Sequence, residues 1–202
     1  MVSGLNENLD YKYCHGQEGR KYLESIANLR LEVFFEYPYL YEGEMEYEKK
    51  YLETYFQSSS SLLFLVFHQN ELIGATSCLK ASDEEESFKK PFDEKGMNPG
   101  SIYYFGESLL KVKWRGKGLG KRFFHVREEF ARRDPATKFL AFASVVRDDN
   151  HPMKPHDYRN HHHLWKKMGF NIANGLETSY SWRDRGEAQE TTKKMQFWMK
   201  EI

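Results

Sequence analysis

Residues 111–122, Lys-Val-Lys-Trp-Arg-Gly-Lys-Gly-Leu-Gly-Lys-Arg, carry three alternating glycines, and six of the twelve residues are Lys or Arg with no acid among them. Glycine lets backbone approach a ligand closely, and successive N–H groups at a helix start attract an anion. In a chain with 30 basic and 30 acidic residues, this run concentrates positive potential on one loop. The chemistry is that of a phosphate cradle, and the expected guest is a small polyanion. Upstream stands Glu107, in a segment otherwise built from Tyr103, Tyr104, Phe105, Ser108 and Leu109. A carboxylate there either pairs with a cation, or is raised by partial burial toward neutral pH and serves as a general base. Gly106, just before it, marks a bulge or a close approach.

The elements that must position these residues follow from periodicity. Residues 9–14 read as a short strand, and Tyr22, Ile26, Leu29 and Val33 form one apolar stripe of a helix. A second helix is expected over 43–57, with Tyr47, Tyr51 and Tyr55 as an aromatic face against a sheet. The runs Leu62–Phe67 and Leu72–Leu79, joined by a short polar turn, read as an antiparallel hairpin. The polar stretch 80–100 shows no period and reads as a loop, mobile or lid-like. Ile102–Leu110 is strand-like, and Leu119, Phe123, Val126 and Phe130 form one face of a helix stopped by Asp134-Pro135. With the strand expected over 138–146, this makes a right-handed crossover between parallel strands. A short helix over 161–168 ends at Gly169, and Thr178–Trp182 and Met195–Met199 read as closing strands.

Length and composition narrow the class. With 202 residues, 40% hydrophobic and 16% aromatic, the chain suits a single domain spanning 1–202. Zero formal net charge argues against a nucleic-acid partner, which requires a broad positive field. The two cysteines, Cys14 and Cys78, have no metal-type spacing and fit a reducing compartment. The start has no signal-peptide pattern, and the longest apolar run is too short to span a bilayer, so no membrane partner and a cytoplasmic location are expected. His161, His162 and His163 are consecutive and point apart on a helix, so no metal site is expected.

Two familiar phosphate loops fail on spacing. A P-loop places glycine where Arg115 stands and a hydroxyl where Arg122 stands; a Rossmann fingerprint spaces its glycines G-x-G-x-x-G, not in the strict alternation of Gly116, Gly118 and Gly120. What remains is [R/Q]-x-x-G-x-[G/A], satisfied by Arg115, Gly118 and Gly120. Together with Leu164-Trp-Lys-Lys-Met-Gly-Phe170, it resembles the motifs of the GNAT superfamily of acyl-CoA-dependent N-acyltransferases. Further stretches, including Tyr37–Tyr41, Tyr104–Ser108, His151–Arg159 and Phe197–Lys200, look like a bacterial branch of that family.

The resemblance implies an α/β (α+β) fold with a mixed, mostly antiparallel central sheet, a central parallel strand pair and flanking helices. It implies acetyl-CoA as co-substrate and a small-molecule or peptide amine as acceptor, attacked directly in a ternary complex. Arg115, Gly116, Lys117, Gly118, Leu119, Gly120 and Lys121 then cradle the pyrophosphate, with Trp165 near the cofactor. The pantetheine arm pairs with Ser108, Leu109 and Leu110, and an N–H near Leu110 polarises the thioester carbonyl. Glu107 is the candidate base. The family's usual acid is a tyrosine where this chain has Trp165, so Tyr158 or His156 from the 151–159 insertion becomes the candidate acid, or the thiolate leaves unaided. Individual lysines near a helix start are equally compatible with a solvated face. Tyr37, Tyr39 and Tyr41 are candidates for the acceptor pocket or for the core. A non-catalytic acyl-CoA-binding module is the alternative function, and a homodimer is left open.

Overall fold

Short apolar runs alternate with amphipathic stretches, and each becomes a strand or a helix in the computed structural model, which describes residues 8–202. The strands are β1 Leu9–Cys14, β2 Leu62–His68, β3 Glu71–Lys80, β4 Ile102–Leu110, β5 Phe139–Val145, β6 Asn171–Trp182 and β7 Thr191–Glu201. The helices are α1 Leu23–Phe34, α2 Met45–Gln57, α3 Glu86–Glu94, α4 Leu119–Ala131 and α5 His162–Lys167. The strands make one seven-stranded sheet in the order β1-β2-β3-β4-β5-β7-β6. Every neighbouring pair is antiparallel except β4–β5, which α4 joins as a crossover.

Strand alternation divides the core. Leu62, Phe64 and Val66 of β2 face the α4 side with Phe105, Leu119 and Phe123, whereas Leu63 and Leu65 face α1 and α2 with Ile26, Leu29 and Leu52. Gln69 and Asn70 take positive φ values of 49° and 66°, as a tight hairpin between β2 and β3 demands.

The parallel pair is short. It joins Ile102 to Phe139, Tyr103 to Leu140 and Tyr104 to Ala141, and beyond that point the register records no β4–β5 pairing. On its other side β4 stays paired with β3 as far as Gly74↔Leu110, and the Lys111 amide donates to the Ile73 carbonyl at 3.0 Å. Backbone groups alternate along a strand, so the amides of Glu107 and Leu109 also point toward β3, and those of Ser108 and Leu110 point into the gap between β4 and β5.

Two expectations need correction. The stretch 80–100 is not an aperiodic loop, because it contains α3, flanked by 3₁₀ turns at Ala81–Asp83 and Pro99–Ser101. Pro91 inside α3 obscured this, since proline removes the bond to the carbonyl four residues back. That carbonyl, of Ser87, instead accepts from the Thr178 hydroxyl at 2.6 Å. Phe88 and Phe92, one turn apart, are both buried; Phe92 meets Phe197 at 4.8 Å between ring centres and Phe88 meets Tyr104 at 5.1 Å. A segment so packed is a wall and not a lid. The closing strands also run longer than expected, because the start of β6 mixes Ile172, Ala173 and Leu176 with Asn171, Asn174 and Gly175 in no alternating pattern and is mostly solvent-exposed. A register shift between Ile172 and Glu177, with Gly175 at φ 72°, further breaks its pattern.

Among the described residues no helix is long and apolar enough to cross a membrane. Replacing Phe92 with Ala should lower the urea midpoint at unchanged m-value, by about 3–5 kcal/mol of stability. A mobile lid would lose nothing measurable on the same substitution.

Candidate active site

Where β4 loses its β5 partner, a cavity of about 430 Å³ opens beside Tyr104, Gly106 and Glu107 of β4 and Ala143 of β5. Arg30 of α1, Tyr51 of α2 and Tyr180 of β6 complete much of its wall.

Arg30 is the electrostatic centre of that wall. It is 7% exposed and ion-paired with two carboxylates, Glu48 of α2, which is 0% exposed, and Glu107, which is 5% exposed. Its guanidinium also lies 4.2 Å from the Tyr51 ring centre. One guanidinium shared by two buried carboxylates leaves net negative charge beside the cavity, which favours a cationic guest. Glu107 therefore does pair with a cation, through Oε2, while its Oε1 is buried with no hydrogen-bond partner. Sequence reasoning missed Arg30 and Glu48, although Arg30 lies one turn after Ile26 on the apolar face of α1. A charge at such a position is the signal that would have found it.

Gly106 is explained by Tyr55. A Cβ on residue 106 would overlap the Tyr55 hydroxyl and stand 2.9 Å from Ser77 Oγ, so close approach requires glycine there. The β3–β4 register also shifts between Ser77 and Leu79. The tyrosine stripe of α2 accordingly needs correction. Tyr55 is fully buried, but Tyr47 and Tyr51 line the cavity, because the stripe runs along a helix that overhangs the end of the parallel pair. Beyond Tyr55 lies Glu84, 3% exposed, which accepts from the Tyr55 hydroxyl at 3.2 Å and from the Glu85 amide at 3.2 Å. Burial outweighs both bonds and pushes its carboxyl up to about 7.

The opposite wall is fastened by Arg147 and the buried Asp184, a bidentate pair at 2.6 and 2.9 Å. Arg147 also donates to the carbonyls of Pro38 at 2.7 Å and Tyr39 at 2.6 Å, and Trp182 Nε1 donates to Tyr39 at 3.0 Å. The 37–41 segment is thus tied to the β6–β7 end of the sheet. Tyr39 and Tyr41 line the cavity; Tyr37 packs edge-on against Tyr158 at 4.6 Å. Tyr158 itself is not among the residues that line the cavity.

The glycine loop leads from the open edge of β4 into α4. Gly116 and Gly118 have φ values of 75° and 91°, a conformation that disfavours any side chain. Gly118 is the N-cap of α4 with no side-chain cap, so the amides of Leu119, Gly120 and Lys121 have no intrahelical partner. At Gly120 a Cβ would meet only Leu164, at 3.8 Å, so neither backbone conformation nor packing accounts for glycine there. Arg115 anchors the loop, donating to the Leu110 carbonyl at 3.0 Å and to Glu36 at 2.7 Å. Lys117 lies 4.5 Å from the Trp114 ring centre and Arg122 lies 4.0 Å from that of Tyr11. Lys121 borders a shallow depression with His125 and Lys167. Leu109 and Leu119 are buried, so they offer a ligand only backbone. Trp165 packs against Phe142 at 5.0 Å and Trp198 at 4.9 Å. Among the described residues no three His, Cys, Asp or Glu side chains gather as a metal site.

A model of the acetyltransferase (GNAT) family matches residues 23–170 of the sequence. The chain belongs to the GNAT family of acetyltransferases. Its fold is that of solved GNAT structures. A GNAT-family acetyltransferase from Streptococcus pneumoniae superposes with a TM-score of 0.59 at 15% identity, over 96% of this chain and 100% of the other. Arabidopsis thaliana NAA60, solved with a bisubstrate analogue, gives 0.61 at 12% identity over 96% and 99%. PH1933 of Pyrococcus horikoshii also gives 0.61, at 12% identity over 96% and 99%. No curated protein matches the sequence. GNAT membership implies acyl transfer from acetyl-CoA.

Replacing Arg30 with Met should strand Glu48 and Glu107 without a counter-charge and cost about 3–5 kcal/mol near neutral pH. Uncompensated buried carboxyls have raised pKa values, so they stabilise the fold only when protonated and the deficit should shrink as pH falls. Urea unfolding of both proteins at neutral and mildly acidic pH checks the magnitude and the sign.

Proposed function

We propose that the protein is an N-acetyltransferase that moves the acetyl group of acetyl-CoA to an amine by direct attack within a ternary complex. One observation carries this reading: an unpaired edge of β4, with the Ser108 and Leu110 amides turned outward, runs from an uncapped helix start to a negatively charged pocket wall containing Glu107. The helix start and Arg115–Lys121 suit a pyrophosphate, and Gly120 is then small for the ligand's sake, there being no protein atom that demands it. The outward amides suit the pantetheine arm and, near Leu110, the thioester oxygen as negative charge develops on it.

The acceptor arrives as an ammonium, with a pKa near 10, and must lose a proton before its nitrogen can attack. Glu107 Oε1 is the acceptor we assign, because it is the unpartnered oxygen on a carboxylate whose other oxygen Arg30 holds in place. Attack forms the C–N bond, the C–S bond breaks, and coenzyme A departs as a thiolate, a tolerable leaving group. Trp165 has no acidic hydrogen to offer at neutral pH, and the mechanism uses neither it nor Tyr158. The pocket's aromatic walls and negative charge suit a cationic amine with an apolar body.

The second reading, an acyl-CoA-binding module without turnover, is favoured by Trp165 in the position of the family's tyrosine. Glu107→Gln should lower kcat/KM about 100-fold in an acetyl-CoA consumption assay over an amine panel, while coenzyme A still raises the melting temperature. Stabilisation by coenzyme A with no turnover of any amine by the wild type would favour the module. Gly120→Ala should leave stability unchanged or up to about 1 kcal/mol higher, since alanine suits a helix better. The loop motif admits alanine at this position, so the KM for acetyl-CoA should change little in that variant, whereas Gly120→Leu, which fills the space left for the ligand, should raise it by about tenfold; an unchanged KM in Gly120→Leu would remove the pyrophosphate from this loop.

A further inference from the structure

An ammonium loses two protons in becoming an amide; the departing thiolate takes up one and becomes a thiol, so acetyl transfer leaves one free proton. That proton is produced beside buried walls. Glu107 takes a proton at Oε1 but must pass it on into the cavity that it shares with Tyr51, because a neutral carboxyl weakens the pair with Arg30 and cannot serve the next turnover. The structure offers another destination. The Tyr55 hydroxyl donates its single hydrogen to Glu84 Oε1 at 3.2 Å, so at the 3.3 Å contact between the hydroxyls of Tyr51 and Tyr55 it is Tyr51 that donates. Tyr51 lines the cavity, and Tyr55 reaches this point only because residue 106 is glycine. Two hydroxyls thus connect the pocket to a carboxylate that the acyl-transfer chemistry otherwise leaves unused.

We propose that Tyr51, Tyr55 and Glu84 form a proton relay that receives the net proton released from the acceptor pocket in each turnover. The proposal rests on the acyl-transfer reading above. A proton arriving at the Tyr51 oxygen displaces that residue's own hydrogen to Tyr55, and Tyr55 passes its hydrogen to Glu84. Both tyrosines end neutral, and one carboxylate becomes a carboxylic acid. Glu84 is faced by Tyr51 and Tyr55 from α2, Arg30 from α1, Tyr104 from β4 and its neighbour Glu85. Its carboxyl, pushed up to about 7 by burial, takes up and returns protons near neutral pH, whereas burial holds Tyr55 and Tyr104 well above 10 and hence neutral.

Two variants and two readouts test the relay. A carboxyl raised from 4.5 to about 7 contributes its stability fully below the lower value and loses it as pH rises through the higher one. Wild-type stability should therefore fall relative to Glu84→Gln over that interval, a measurement that needs no turnover. In turnover of acetyl-CoA with an accepted amine, Glu84→Gln and Tyr55→Phe should each lower kcat about tenfold or more with the acetyl-CoA KM unchanged. Both should also lose the wild-type inflection of kcat near neutral pH. Wild-type inflection and rate in both folded variants would overturn the relay while leaving acetyl transfer intact. A lowered kcat with the inflection retained would also overturn it, because a packing defect lowers rate without removing a titration. No acetyl-CoA turnover by the wild type would instead overturn the acyl-transfer reading, and the relay with it.

Discussion

The parting of β4 from β5 after Tyr104 and Ala141 is the constraint on which the site depends. A parallel pair needs a crossover, and α4 supplies it, so the strand that loses its partner leads directly through the glycine loop into the start of that helix. The open edge, the uncapped amides and the cavity are therefore consecutive along one stretch of chain. Elsewhere the sheet stays closed: β3 holds β4 from one side and β7 holds β5 from the other, so the gap is a gap within a rigid frame.

Into that frame the helices bring charge. Arg30 is buried between Glu48 and Glu107, an arrangement in which each carboxylate needs the guanidinium and its single charge cannot neutralise both. Glu84 adds a third carboxylate behind Tyr55, where desolvation places its titration near neutral pH. The Arg147–Asp184 pair fastens the far wall through the carbonyls of Pro38 and Tyr39, the second of which also accepts from Trp182. The pocket is thus aromatic in its lining, anionic at one wall and braced at the other.

Much of the fold was legible because its elements bury regular apolar patterns. The β2–β3 hairpin, the β4–α4–β5 crossover and Gly169 at the end of α5 follow from period, turn residues and stop signals. Elements failed to show where their evidence lay in another part of the chain. Pro91 argued against α3, and only the Thr178 hydroxyl, far along the sequence, satisfies the carbonyl that proline leaves open. The first half of β6 is largely exposed because it is an edge, its apolar residues follow no alternation, and nothing local distinguishes such a strand from a loop. Gly106 was read correctly as a special position, yet the atom that makes it so, the Tyr55 hydroxyl, belongs to another helix.

By itself the sequence determined the glycine spacing and the concentrated positive charge of residues 111–122, because these are local properties of consecutive residues. It carried the family motifs and the order of the elements other than α3 for the same reason. The tertiary structure alone decided the partner of Glu107, the wall to which Tyr51 belongs and the burial of Glu84. Ion pairing and desolvation act between groups distant in the chain, and their strength is set by which surfaces folding removes from water.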